Sequence, residues 1–137
     1  MNGPDDFYIK DGALIEYCGS GGNVSVPYGI FEICDDAFRW GPVLRCITLP
    51  DSVVRIGDYA FSDCRDLVDI NIPAKLISIG ARAFAGCSNL RCLEIPGSVK
   101  SIGVEAFIRC NSLTISCPKG SYVERYAKEA GIPVKNI

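Results

Sequence analysis

The eight cysteines are the residues of this chain best suited to chemistry. Thiols can pair as disulfides, ligate soft metals or act as nucleophiles, and their spacing separates these uses. No two of Cys18, Cys34, Cys46, Cys64, Cys87, Cys92, Cys110 and Cys117 stand in a C-x-x-C arrangement, so zinc-knuckle spacing is missing. There is no histidine, which removes Cys-His and Ser-His-Asp nucleophile pairs and the commonest transition-metal ligand. Cys64, Cys87 and Cys110 instead recur at a step of 23 residues. If that step is one rung of about 4.8 Å, the three lie within disulfide reach of one another. Their slot points inward, however, where a free thiol packs as a small hydrophobe. Packing thiols are expected, with a disulfide or a metal as the alternatives. Cys46 and Cys92 share a second slot with Asp69 between them, too far apart to bond, and Cys117 takes an inward strand position.

Two further groups could do chemistry. Asp69 and Glu94 would have to act as a carboxylate pair for glycosidase-like acid/base work, but nothing in the sequence raises one pKa or supplies a pocket. Tyr122 and Tyr126, four residues apart, could form a sugar platform or the inner face of a helical lid. No catalytic, cofactor-binding or metal-ligating residue is assigned.

The elements that must position these residues come from a repeat. Proline recurs at Pro27, Pro50, Pro73 and Pro96, and Ala-Phe at Ala37-Phe38, Ala60-Phe61, Ala83-Phe84 and Ala106-Phe107. Leu44, Leu67, Leu90 and Leu113 keep the same step, as do Gly57, Gly80 and Gly103, with Cys34 in the earliest glycine slot and Gly41 in the earliest cysteine slot. Such coincidence at one period marks an array of stacked units that cannot bury their faces singly. In one unit, "RCITLPDSVVRIGDYAFSDCRDL", Ile47 and Leu49 alternate around Thr48 as a short strand closed by Pro50. Val53 and Ile56 return the chain inward, Gly57 permits a tight bend, and Ala60, Phe61, Cys64 and Leu67 fall at the spacing of a brief helical turn.

Both ends of the array read as caps. "FYIKDGALIEY" is two apolar-rich runs around Asp11-Gly12, a type I′ hairpin over residues 7–17, followed by the link Gly19-Ser20-Gly21-Gly22. At the other end, Ser121 and Glu124 form a capping box, Tyr122, Tyr126 and Ala130 share a helix face, and Gly131 ends the helix. The expected organisation is one domain, 1–137, with hairpin and link at 7–21, repeats at 22–117 and a helical cap at 118–137.

The pattern IP-x-S-V-x-x-I-G-x-x-A-F-x-x-C-x-x-L over roughly 22–117 resembles the BspA-like class of leucine-rich repeats, and "SYVERYAKEAGIPV" is similar to the way such arrays finish. The resemblance implies a right-handed α/β solenoid of about four coils with short parallel strands. It further implies a microbial surface or secreted protein that contacts host matrix proteins or neighbouring cells. The chain departs from the pattern at Cys34, at Arg39-Trp40-Gly41-Pro42 and at Ala74-Lys75-Leu76.

On this fold the outward strand positions are Thr48, Asn71 and Glu94, flanked by Arg45, Asp69 and Arg91. Such a row lines a continuous sheet face, where a protein partner or only solvent meets it. Trp40 shares its slot with Asp63, Gly86 and Arg109, an exposed turn, so it is either a binding anchor or a side chain covered by the hairpin. Tyr59 shares a slot with Arg82 and Glu105 and is expected at the surface.

Composition sets the remaining bounds. The chain has 137 residues, 48% hydrophobic and 22% charged, with net charge −2. No basic field recruits nucleic acid, and no apolar run reaches a membrane span. Residues 1–69 hold 12 acids and 5 bases, net −7, and residues 70–137 hold 4 acids and 9 bases, net +5. Sequence order is spatial order in a solenoid, so this split predicts charged poles and weak, salt-sensitive head-to-tail association of an otherwise monomeric protein. Met1-Asn2-Gly3-Pro4-Asp5-Asp6 is no signal peptide. That leaves a cytoplasmic protein or a chain separated from its export signal.

Overall fold

Each 23-residue step is one turn of a solenoid that hydrogen-bonds to its neighbours along several lines. The computed structural model describes residues 3–40 and 42–137, so the Gly41 slot lies outside the described residues. After a 3-10 turn at Pro4–Asp6, β1 (Phe7–Lys10) and β2 (Ala13–Tyr17) form the expected antiparallel hairpin. Asp11 at φ 52° and Gly12 at φ 78° supply its left-handed turn. The chain then runs through β3 (Gly22–Ser25), β4 (Glu32–Ile33), β5 (Leu44–Thr48), β6 (Arg55–Ile56) and β7 (Asp69–Ile70). It continues through β8 (Ser78–Ile79), β9 (Cys92–Glu94), β10 (Ser101–Ile102) and β11 (Thr114–Cys117), and ends in α1 (Tyr122–Ala130) and β12 (Val134–Asn136).

The longest sheet has the order β1-β2-β4-β6-β8-β10. Its rungs are the two residues before each repeated glycine: Arg55 pairs with Ser78 and Ser78 with Ser101, Ile56 with Ile79 and Ile79 with Ile102. Because β2 pairs in parallel with β4, the hairpin cap adds a rung to the expected coils, and the solenoid has about five turns in all. The Leu-Ile strands form two three-stranded sheets, β3-β5-β7 and β9-β11-β12.

Between these lines the chain turns sharply, and here one expectation fails. The Ala-Phe segment is not helical. Ser62 N–H bonds to Tyr59 O and Cys64 N–H to Phe61 O, each three residues back, while Tyr59 and Asp63 have left-handed backbone at φ 60° and 62°. Two consecutive tight turns satisfy the same apolar spacing as a helical turn, and they leave alternate N–H groups free to reach the next coil. Phe38, Phe61 and Phe84 N–H bond to Ala60, Ala83 and Ala106 O at 2.8, 2.7 and 2.8 Å. Gly57 stands where the chain enters these turns, its carbonyl accepting the Ala60 N–H, and it has a second role in spacing the coils. A Cβ there would lie 2.7 Å from Asp35 N and 2.9 Å from Cys34 C, so glycine is required by the backbone of the coil beneath.

The core follows the period. Leu44, Leu67, Leu90 and Leu113 are buried, as are Ile33, Ile56, Ile79 and Ile102. The repeated phenylalanines stack through the axis: Phe38 on Phe61, Phe61 on Phe84 and Phe84 on Phe107, with centroids 4.9, 5.3 and 5.3 Å apart. Both caps continue the stack, with Tyr17 5.2 Å from Phe38 and Tyr126 6.3 Å from Phe107 in an edge contact.

The C-terminal cap forms as a helix, with details that differ from the sequence expectation. Ser121 Oγ accepts the Glu124 N–H at 3.2 Å, but the Glu124 carboxylate takes the N–H of Gly120, one residue before the cap, at 2.9 Å. The fully buried line is Val123 and Ala127, flanked by half-buried Tyr122 and Tyr126, whereas Ala130 is exposed. Tyr122 Oη accepts the Ile102 N–H at 3.1 Å, so the tyrosines bear on the core as a lid rather than standing out as a sugar platform. Gly131, at φ 75°, ends the helix, and β12 then returns to pair in parallel with β11. This last strand carries no apolar alternation strong enough to have been read from the sequence.

Candidate functional site

The cysteine slot resolves into packing. All eight cysteines are free thiols. Cys64 Sγ faces Phe38 O, Cys87 Sγ faces Phe61 O at 3.2 Å, and Cys110 Sγ faces Phe84 O at 3.0 Å. Phe61 O and Phe84 O already accept the turn N–H groups of Cys64 and Cys87, so the thiols of the next coil use their second lone pairs. Burial and the nearby Asp63 carboxylate push the Cys64 thiol up to about 12, and the bond to Cys110 together with burial raises Cys87. Neither can be a ready thiolate nucleophile. Cys117 is fully buried in β11 as expected. Among the described residues no group of three His, Cys, Asp or Glu side chains could hold a metal.

The six strand-face positions, Arg45, Thr48, Asp69, Asn71, Arg91 and Glu94, are all exposed. The backbone ladder beneath them is broken once, between β7 and β9, although these two strands still lie side by side. Cys46 pairs with Asp69 in one sheet and Ser116 with Glu94 in another, so Asp69 and Glu94 fall on separate sheets. Asn71 shows where the lines part. Val26 N–H bonds to Thr48 O and Ile95 N–H to Ser116 O, but the equivalent Leu49 N–H takes the Asn71 side chain, Oδ1, at 2.7 Å. Asn71 Nδ2 returns a bond to Leu49 O at 2.9 Å. The amide stands in for its own backbone and is engaged within the fold.

A different surface gathers the aromatic candidates. Asp36, Tyr59, Arg82 and Glu105 share one slot and one left-handed conformation, with φ of 62°, 60°, 53° and 54°. Their side chains form a ladder across the coils. Arg39 meets Asp36 Oδ1 at 3.4 Å and lies over the Tyr59 ring with its guanidinium carbon 4.2 Å from the centroid. Arg82 donates to Tyr59 Oη at 2.9 Å and through Nε to Glu105 at 2.8 Å. These bonds, to Glu105 first and Tyr59 second, raise the Arg82 pKa further. Tyr59 is consequently half-buried rather than fully at the surface.

Trp40 stands at the end of this ladder, 76% exposed, so the hairpin does not cover it. The other side of the arrangement is again Arg39, whose guanidinium carbon lies 4.6 Å from the Trp40 ring centroid. Arg39 Nε–H is shielded from solvent and meets no acceptor among the described residues. Beside Trp40 the hairpin and first coil enclose a recess of about 290 Å³ whose lining includes Glu16, Asp35 and Asp36. Trp40 and Tyr59 are therefore brought together, and Arg39 joins them. Residue spacing gives no signal for Arg39, because its slot holds Ser62, Ala85 and Ile108 in later coils. Only its long side chain reaches the neighbouring rung. An acidic recess rimmed by an exposed indole can hold a basic side chain.

The sequence profile of the BspA type leucine rich repeat region matches residues 8–128 in six copies. A leucine rich cell surface protein of Faecalibacterium prausnitzii has a similar structure, with TM-score 0.76 and 29% identity over 90% of this chain and 35% of that one. A leucine-rich repeat protein of Bacteroides ovatus gives 0.74 and 33% over 89% and 32%. The T. pallidum leucine rich repeat protein gives 0.69 and 25% over 84% and 70%. The chain thus spans about a third of the first two structures. No curated protein matches it.

Proposed function

Because the chain belongs to the BspA type leucine-rich repeat family, we propose that it is a non-enzymatic protein-binding module of a microbial surface or secreted protein, adhering to host matrix proteins or to proteins of neighbouring cells. The observation that carries this reading is Trp40, 76% exposed yet held by the Arg39 guanidinium, which is itself braced on Tyr59. A large aromatic with little freedom left to lose is the side chain that most often dominates a protein interface. The acidic recess beside it favours a partner that offers Lys or Arg. Arg45, Thr48, Asp69, Arg91 and Glu94 form the secondary contact row, and Asn71 contributes less because its amide is bonded to Leu49.

Placement at the cell surface is supported by the F. prausnitzii neighbour, described as a cell surface protein. Among the described residues no helix is long and apolar enough to cross a membrane. The test is binding of the purified protein to immobilised extracellular-matrix proteins and to intact cells. Saturable, salt-dependent binding supports the reading, and its absence on every surface removes it.

A second reading, assembly of copies head to tail, is favoured by the charge split, net −7 over residues 1–69 and +5 over residues 70–137. The caps oppose it: Tyr17 N–H already occupies Ala37 O at 2.9 Å, and β12 covers β11. Any such association is weak.

A further inference from the structure

One file of residues along the side of the solenoid is apolar and faces outward. Phe31 N–H bonds to Gly12 O at 2.9 Å, and Val54, Ile77 and Lys100 N–H bond in turn to Phe31, Val54 and Ile77 O, each at 2.8 Å. This ladder holds the four residues in register, one per coil, immediately before the rungs of the longest sheet. Phe31 is 44% and Ile77 53% exposed, with half-buried Val54 between them. Single apolar groups at a surface are ordinary, but three on consecutive coils make a continuous stripe. Opposite charges close its two ends. Lys100 is exposed at one. At the other, exposed Asp11 adjoins Gly12, where an added Cβ would meet the Phe31 ring at 2.8 Å.

We propose that a second copy of this chain packs on the stripe, side by side and antiparallel, about a two-fold axis through Val54. Read in reverse, the file Asp11, Phe31, Val54, Ile77, Lys100 is its own complement. Phe31 meets Ile77 of the second copy, Val54 meets Val54, and Asp11 meets Lys100. Such a contact is isologous and closes at two copies. The flanking charges agree with it. Arg55 lies beside Val54 at the axis, with Glu32 paired one rung away, so the two arginines fall between the glutamates of the two copies. On the other flank Lys75 comes one rung from Asp51 of the second copy, while Lys10 stands a strand further out, on β1. A parallel arrangement would set Asp11 on Asp11 and Lys100 on Lys100. It would also lay the half of net charge −7 on its like, whereas the antiparallel one lays it twice on the half of +5. About five rungs of about 4.8 Å make a small interface, so the dimer forms only at high concentration. The contact uses neither end of the solenoid nor Trp40. It is distinct from head-to-tail association and does not depend on the adhesive reading.

Sedimentation equilibrium and zero-length carbodiimide cross-linking of the intact chain test it. Sedimentation should show a monomer–dimer equilibrium with a Kd of about 0.1 mM and nothing larger than a dimer. Within one copy Asp11 and Lys100 lie about four rungs, or roughly 19 Å, apart, so an amide between them must join two copies. Peptide mapping of a mixture of isotope-labelled and unlabelled protein should find that amide, with one label per pair, in the dimer fraction. Ile77→Glu and Lys100→Glu, both at exposed positions, should each weaken dimerisation about tenfold or more. Val104→Glu, at an open apolar position off the stripe, should leave it unchanged. A monomer that persists at about 1 mM, or species that grow past the dimer as head-to-tail chains do, would overturn the proposal. A dimer that lacks the Asp11–Lys100 amide, or equal losses for Val104→Glu and Ile77→Glu, would overturn it as well.

Discussion

A methyl group placed on Gly80 would stand 2.5 Å from the carbonyl carbon of Gly57 one coil below. The repeated glycine is therefore a spacing element between stacked backbones. Gly80→Ala should cost about 2–3 kcal/mol or more, because neither backbone can yield without opening the ladder. Gly97→Ala, whose new carbon would meet only Pro118 at 3.6 Å, should stay within about 0.5 kcal/mol of wild type. Urea melts of the two variants check this, and equal losses would contradict it.

Phe84 lies between two stacked rings and is fully buried. Phe84→Ala should lose about 3–5 kcal/mol through the cavity it leaves. Arg82→Ala removes an exposed, solvent-screened ion pair with Glu105 and should leave the unfolding midpoint close to that of wild type. Comparable losses at both positions would show that the assignment of inward and outward slots is wrong.

Thiol reactivity should follow burial. Cys18 and Cys92 are exposed, while Cys64, Cys87 and Cys117 are buried, and burial raises all three of these thiols or acts with a bonded partner to do so. A disulfide-exchange reagent should label Cys18 and Cys92 at once and the buried three only on unfolding. The melting temperature should not respond to reductant. Peptide mapping that finds Cys64 joined to Cys87, or Cys87 to Cys110, would contradict this.

Glu124 links pH to stability. Its carboxyl is held below the ordinary value of 4.5 by the Gly120 N–H and then by the Asn136 amide, which donates at 2.7 Å. A depressed folded pKa gives stabilisation that is complete above the unfolded value and is lost as pH falls through the folded one. Melts between pH 7 and pH 3 should therefore show a steeper acid loss in wild type than in Glu124→Gln. Parallel curves would exclude the linkage.

Much of this arrangement can be read from residue spacing, and the unread parts have identifiable causes. The step between Pro50 and Pro73 and between Phe61 and Phe84 is enough to place the stacked core, because one inward slot repeated on every coil must superpose. Asp11-Gly12 and Ser121 through Gly131 locate both caps by local chemistry alone. The Arg55–Ile56 rung escapes such reading because two residues are too few to show alternation. The tight turns resemble a helical one in sequence because Ala60, Phe61, Cys64 and Leu67 fit either equally well, and Tyr59 as a residue type does not signal its positive φ. The break at Asn71 depends on a side chain replacing its own carbonyl, which no periodicity reports. The meeting of Trp40, Arg39 and Tyr59 joins residues from different slots and different coils, so it arises only once the coils stack.

The central claim, protein binding anchored at Trp40, is tested most directly by affinity measured side by side for wild type, Trp40→Ala and Arg91→Ala on immobilised extracellular-matrix proteins. Trp40→Ala removes a side chain that is 76% exposed and braced only from one side, so the fold should keep its melting temperature. The account predicts at least about a hundredfold loss of affinity for Trp40→Ala, the size of an interface hot spot, and less than about tenfold for Arg91→Ala on the secondary row. Binding that survives Trp40→Ala and collapses with Arg91→Ala would contradict it and move the interface to the strand face.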